Sequence, residues 1–377
     1  MVRRATVCVV VVVIALGALA SCSSSDSGPA KSGAGTGSSS SSSSSVATTS
    51  TTGPTPVPTT VAFTRAKTPM ASSSTTYVFT LTSGGLKRSY RLHVPPAAAA
   101  GKALPLVLNL HGATQNALLQ EAQSGMDASA DKHGYLVAYP DGTRIATKLD
   151  PDPVAKQAQY GFNAGACCGL PVDKHVDDVG FLLAVISNVA THTPVDLRRV
   201  YVTGMSNGGM MAYAMAAQAS TYIAAIASVA GQVEQLGVAP TQPVPTMEFH
   251  SVDDPIALYA GVQNNDPKLR YSVIAGVQQW VKADGCDSTP HPDKTIMGTG
   301  TSEGLTATLV TYSGCNAGAQ VALWQLTGSG HVWPGAPFNT GPKETWLLDG
   351  VGRGTTLIDA NEEMWKFFSR HVLPRVP

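Results

Sequence analysis

The sequence predicts an α/β fold, with one mostly parallel sheet covered by helices on both faces. Continuous apolar runs of strand length, Leu104–Leu110 above all, are those of strands buried on both sides. They alternate with amphipathic stretches of helical length, the pattern of a helix-covered parallel sheet. The chain of 377 residues is 43% apolar, enough for a substantial core and incompatible with wholesale disorder. That length would allow two domains, but α/β folds of this size are often single.

The N-terminus stands apart from this pattern. Arg3 and Arg4 precede an apolar run, Val7 to Ala20, whose 14 residues suit a signal-peptide core. A spanning helix needs roughly 18. The run ends at Leu19-Ala20-Ser21-Cys22, which resembles the lipobox of bacterial lipoproteins, where the Cys receives a diacylglyceryl thioether. Cys22 is therefore the expected lipidation site, and two or more acyl chains give stable anchoring where one does not. Between Ser23 and Thr60 only Asp26 and Lys31 are charged, and Ser38 to Ser45 is unbroken serine. Such a stretch buries too little to offset the entropy of ordering and reads as a tether with a reach of roughly 35–40 Å. The expected organisation is a signal peptide over 1–21, a tether over 22–70 and a folded α/β domain over 71–377.

From Tyr77 the elements follow in order. Tyr77–Thr82 and Ser89–Val94 read as paired edge strands. Leu104–Leu110 is a buried strand ending at His111-Gly112, and Leu136–Tyr139 is another, closed by the turn Pro140-Asp141-Gly142. Asp177 and Asp178 precede an amphipathic helix over Val179–Thr191. Arg199–Thr203, Ala224–Val229, Met247–His250 and Val321–Leu326 are further strands. Helices are expected over Gly208–Gln218, Tyr271–Ala283 and Asp359–His371. Sites in such sheets open at the carboxyl ends of the strands.

Gly204-Met205-Ser206-Asn207-Gly208 has the Gly-x-Ser-x-Gly form of a strand-to-helix turn that presents a serine hydroxyl on a strained backbone. The pattern recurs at Gly300-Thr301-Ser302-Glu303-Gly304, but only Ser206 stands between an apolar strand and a helix. Ser206 is the candidate nucleophile. In this architecture the acid and then the histidine follow the serine. His331, in the glycine loop Gly328 to Gly335 after the last strand, is the candidate base. His250 reads as a strand-end residue supporting the next turn, His291 as a loop residue, and His371 as a solvated helix end. Either Asp253 or Asp254 satisfies the requirement for an acid that orients the imidazole.

Taken together, Leu110-His111-Gly112-Ala113-Thr114-Gln115, Cys167-Cys168-Gly169, Val176 to Phe181, Gly204 to Gly209 and Gly330-His331-Val332-Trp333-Pro334-Gly335 resemble a known family. It is the α/β-hydrolase group of polyhydroxybutyrate depolymerases, feruloyl and acetylxylan esterases and related lipoproteins. The likeness runs from about Tyr77 to His371. It implies that Asp254, directly before Pro255, is the acid, although Ser251 stands where the family has Gly. It also implies an oxyanion hole from the backbone N–H groups of Ala113, Thr114 and Asn207. The resemblance favours a Cys286–Cys315 disulfide, which export permits. Asp177 and Asp178 read as helix-capping residues. Cys167 and Cys168 are adjacent, so a bond between them would be strained; buried thiols are the alternative, and the pair lacks zinc-ligand spacing.

The expected activity is hydrolysis of carboxylic esters of extracellular polymers or oligomers, by a monomer. It needs no metal or organic cofactor. With 25 basic and 25 acidic side chains and only 13% charged residues, the chain has no electrostatic footprint for nucleic acid. Two other functions are compatible with these residues: a cell-envelope acyltransferase using the same triad, and a non-catalytic surface lipoprotein on a hydrolase scaffold. The expected location is the outer face of the membrane, through Cys22, or the extracellular space. Substrate selection is expected from the long connection Asp141–Asp173, with Tyr160 and Phe162 lining the pocket, and from Trp333.

Overall fold

A computed structural model describes residues 74–144, 159–234, 237, 239–261, 271–336 and 350–374. The expected signal peptide, the tether, Cys22, and Pro151 and Pro153 of the long connection lie outside these residues. The elements are β1 (Thr75–Ser83), β2 (Leu86–Val94), β3 (Leu104–Leu110), α1 (Ala117–Ser124), α2 (Met126–His133), β4 (Leu136–Pro140), β5 (Thr143–Arg144) and β6 (Tyr160–Gly161). There follow α3 (Leu170–Asp173), α4 (Asp178–His192), β7 (Val195–Met205), α5 (Asn207–Gln218), β8 (Ala225–Val229) and β9 (Thr246–Ser251). The last are α6 (Val273–Ala283), β10 (His291–Met297), β11 (Thr306–Tyr312), β12 (Val321–Thr327) and α7 (Ala360–Phe368).

Ten strands form one sheet in the order β1-β2-β4-β3-β7-β8-β9-β12-β11-β10, and β5 pairs with β6 separately. The centre, from β4 to β12, is parallel, and antiparallel strands close both edges. Side chains on a strand alternate between faces, and this divides the core in two. Leu106, Leu108 and Leu110 of β3 join α4, α5 and α6 in one cluster. Val107 of the same strand joins Tyr201, Trp324 and the α7 residues Met364, Phe367 and Phe368 in the other. A strand buried on both faces reads as a near-continuous apolar run, and in the LPLVLNL of β3 the one polar residue, Asn109, is hydrogen-bonded.

Several expectations need correction. α1 and α2 are absent from the sequence reading because their inner faces are partly polar. Gln120 is buried and donates to Asn109 Oδ1 at 2.7 Å, and Ser124 is buried beside the same asparagine. His291 starts the edge strand β10 rather than lying in a loop. That strand is exposed and charged, which suits a sheet edge and hides its period. His371 lies beyond the end of α7, half-buried with its ring 4.8 Å from that of Phe367. Burial lowers its pKa to about 4.

Candidate active site

β7, β8, β9 and β12 are mutually parallel, so the residues that follow them meet at one edge of the sheet. Ser206 follows β7 directly, with φ 55° and ψ −121°, while its N–H donates to the Val229 carbonyl at 2.8 Å. A non-glycine residue at positive φ is strained and is held there by its surroundings. Packing explains the glycines. A Cβ on Gly208 would stand 2.2 Å from the Leu110 carbonyl oxygen, and one on Gly204 2.7 Å from the same atom. The turn after β3 lies alongside, since a Cβ on Gly112 would be 3.5 Å from Ser206 Cβ. Ser302 sits in a short 3-10 turn, Gly300–Ser302, in the connection between the antiparallel edge strands β10 and β11, with no helix of α length after it.

Asp254 and His331 are together. Asp254 Oδ2 and His331 Nδ1 are 2.8 Å apart, and Asp254 Oδ1 accepts from the N–H groups of Ile256 and Ala257, both at 2.8 Å. Burial raises the Asp254 carboxyl, but the bond and charge of His331, then the charge of His250, outweigh it and hold it below the ordinary carboxylate value. Asp253 instead accepts from the Gly328 N–H at 2.7 Å. Ser251, the departure from the family pattern, donates its hydroxyl to the Ser329 carbonyl at 2.5 Å. It thus stitches the aspartate turn to the histidine loop. That loop is anchored by Gly330 N–H to Arg353 O at 2.8 Å and His331 N–H to Val351 O at 2.6 Å.

The residues around Ser206 fall into two groups. No partner among the described residues is assigned to the Ala113 and Asn207 N–H groups, which flank the serine in the two turns. Thr114 is a correction: its N–H donates to the Tyr160 carbonyl at 2.9 Å and is not free to meet an oxyanion. His111 holds the first turn. Its Nδ1–H donates to the Gly112 carbonyl at 2.7 Å and its Nε2 accepts from Gly142 N–H at 2.9 Å. Burial, the largest influence, lowers its pKa to about 4, so the imidazole is neutral.

Phe162 and Trp333 are also corrections as pocket residues. Phe162 is fully buried, its ring 4.6 Å from that of His111. Trp333 is fully buried and donates to Asn361 Oδ1 at 3.0 Å. Large apolar side chains near the site were drawn into the two cores. Tyr160 remains half-buried, paired through its backbone with Gln115. The side chain of Asn207 accepts from the Phe162 N–H at 2.7 Å and donates to the Phe162 carbonyl at 3.0 Å, clamping this segment to the serine turn. Asp177 caps α4 through the Gly180 N–H at 2.7 Å, and Asp178 pairs with buried Arg88 at 2.7 Å. Cys286 and Cys315 form a disulfide. Cys167 and Cys168 meet across a cis peptide bond, with their Cα atoms 3.2 Å apart. The sequence reading missed Glu248, buried beside His250; only its spacing of two along a strand signalled a shared face.

A parallel sheet with a serine on a strained turn at its carboxyl edge, and an Asp–His pair on neighbouring loops, defines an α/β-hydrolase. Residues 88–278 match the family described as esterase PHB depolymerase, and the chain belongs to that family. It is a carboxylic ester hydrolase. It is 30% identical over 304 residues to NocK of Nocardia uniformis subsp. tsuyamanensis, named as an esterase, covering 76% of this chain and 82% of that protein. Feruloyl esterase B of Piromyces equi is 27% identical over 63% of this chain, which spans 41% of that relative's length. Poly(3-hydroxyalkanoate) depolymerase C of Paucimonas lemoignei is 27% identical over 68% of this chain and 62% of its own length.

Proposed function

We propose that the protein is a serine esterase acting through Ser206, His331 and Asp254 on ester-bearing polymers or oligomers outside the cell. The 2.8 Å contact between Asp254 Oδ2 and His331 Nδ1 carries this reading. The carboxylate fixes the imidazole with its proton on Nδ1, leaving Nε2 to accept the Ser206 hydroxyl proton. The serine oxygen attacks the ester carbonyl, and the Ala113 and Asn207 N–H groups stabilise the oxyanion. The imidazolium then protonates the leaving alcohol. Water, deprotonated by the same nitrogen, releases the acid from the acyl-enzyme.

The names of the relatives support feruloyl, acetylated-glycan or hydroxyalkanoate esters as the substrate class. In this reading, residues 1–21 direct export, Cys22 carries the lipid anchor, 22–70 form the tether, and 71–377 act as a monomeric catalytic domain at the outer membrane face. The test is Ser206→Ala beside Ser302→Ala in a p-nitrophenyl ester assay. Ser206→Ala should lose more than about 10³ in kcat. Equal losses from both variants in folded protein would defeat the assignment.

A further inference from the structure

Behind the candidate triad lies a second pair of titratable groups that the reaction above does not use. Glu248, His250, Asp254 and His331 form a continuous row. Glu248 Oε1 is 2.9 Å from His250 Nδ1, His250 Nε2 is 3.6 Å from Asp254 Oδ2, and that oxygen is 2.8 Å from His331 Nδ1. The side chains of Glu248, His250 and Asp254 are at most 1% exposed. Groups buried this deeply persist only when paired.

The protonation of His250 follows from its partners. Nε2 is 2.7 Å from the Ala257 carbonyl oxygen. A carbonyl only accepts, so Nε2 carries a proton. Nδ1 faces Glu248, whose other oxygen accepts from the Tyr213 hydroxyl at 3.0 Å, so a second proton is shared between ring and carboxylate. Burial opposes charge on the ring, but Glu248, Asp254 and the Ala257 carbonyl outweigh it and raise its pKa. Burial also raises that of Glu248. Among the described residues, two neutral side chains also pack here. The Tyr259 ring stands edge-on with centroids 5.9 Å away, its hydroxyl donating to Gln325 of β12, and Ser228 of β8 lies opposite Glu248 in register.

We propose that His250, braced by Glu248, is a positioning residue that acts on the reaction through Asp254. It grips the Ala257 carbonyl, and the Ala257 N–H in turn holds Asp254 Oδ1 at 2.8 Å. It also places positive charge 3.6 Å from the oxygen that faces His331. The inference rests on the triad reading given above.

Two variants of the full-length protein separate the two effects. His250→Gln removes both the charge and the imidazole N–H that grips Ala257. Glu248→Gln leaves the imidazole in place and neutral. Active sites are counted with a serine-directed phosphonate, and hydrolysis of a p-nitrophenyl ester is followed against pH. Per titrated site, kcat should fall about 10- to 100-fold in His250→Gln, as for a small misplacement of a reacting group, with KM little changed. Removing the cation leaves the Asp254 charge less compensated, so the base takes up a proton at higher pH. The acidic limb of kcat/KM should therefore move up by about half a unit to one unit in both variants. An unmoved acidic limb in Glu248→Gln overturns the proposal, even if His250→Gln fails to fold. A fall in kcat with the limb unmoved also overturns it and leaves His250 a packing residue. Activity surviving in Ser206→Ala would instead defeat the triad reading itself.

Discussion

Replacing Asp254 by Asn tests the site at its most sensitive bond. Oδ1 of Asp254 accepts two backbone N–H groups and Oδ2 faces His331 Nδ1. In the Asp254→Asn variant the new amide oxygen would stay with the two N–H groups, because those can only donate. The amide NH₂ would then oppose Nδ1, and two donors cannot share one contact. The ring proton would move to Nε2, the nitrogen that must accept from Ser206. The expected loss is about 10³–10⁴ in kcat, or ~4–5.5 kcal/mol at roughly 1.4 kcal/mol per decade, with KM within a few-fold. Asp253→Asn should stay near wild type, since an amide oxygen can still accept from Gly328 N–H, and changes of this kind usually cost under about 0.5 kcal/mol. Steady-state hydrolysis of p-nitrophenyl butyrate, normalised by phosphonate titration, measures both. Equal or reversed losses would refute the tautomer argument.

Three other outcomes are expected. Asp284 is buried with Oδ2 unpartnered, and burial, only partly offset by the Val244 N–H, raises its pKa to about 7. The folded value exceeds the unfolded one, so its stabilising contribution is complete below about pH 4 and lost as pH rises toward 7. Asp284→Asn removes an ionisation cost of at most ~4 kcal/mol and leaves an unpaired NH₂ costing ~1–2, so Tm at pH 8 should rise by roughly 5–10 °C with no gain at pH 4. A lower Tm at pH 8 would contradict this. Tyr160→Ala should move the ratio of kcat/KM between aromatic and aliphatic acyl esters by roughly ten- to two-hundred-fold; an unchanged ratio removes Tyr160 from the pocket. Cys22→Ala should abolish lipid labelling and release the protein from membranes; retention with an unlabelled wild type would exclude the anchor.

The sequence exposed those features that burial makes repetitive. β3, β4 and β8 are apolar because both faces are covered, and the serine turn is visible because its glycines have no room for a side chain. Where burial is polar, the pattern failed. α1 turns Gln120 and Ser124 inward, and β10 lies in solvent. The acid could be narrowed to two neighbours from the residues themselves, and resemblance favoured Asp254. Its separate hydrogen bonds from those of Asp253 depend on which loop each turn faces, which no local pattern encodes. Phe162 and Trp333 were misread because proximity to a site in sequence does not decide between lining a cleft and filling a core.

The clamps around the 141–163 connection have a consequence for engineering. Before its middle, the chain is pinned by Gly142 to His111 and by the Asp141 carbonyl to Arg88 at 3.2 Å. Beyond it, Tyr160 is tied to Gln115, Phe162 to Asn207, and Asn163 to Asp178 at 2.7 Å. Any segment grafted between Arg144 and Gln159 must therefore keep these anchors at both ends. Asn207 is the residue such a graft must leave alone, because its side chain both accepts from and donates to the Phe162 backbone.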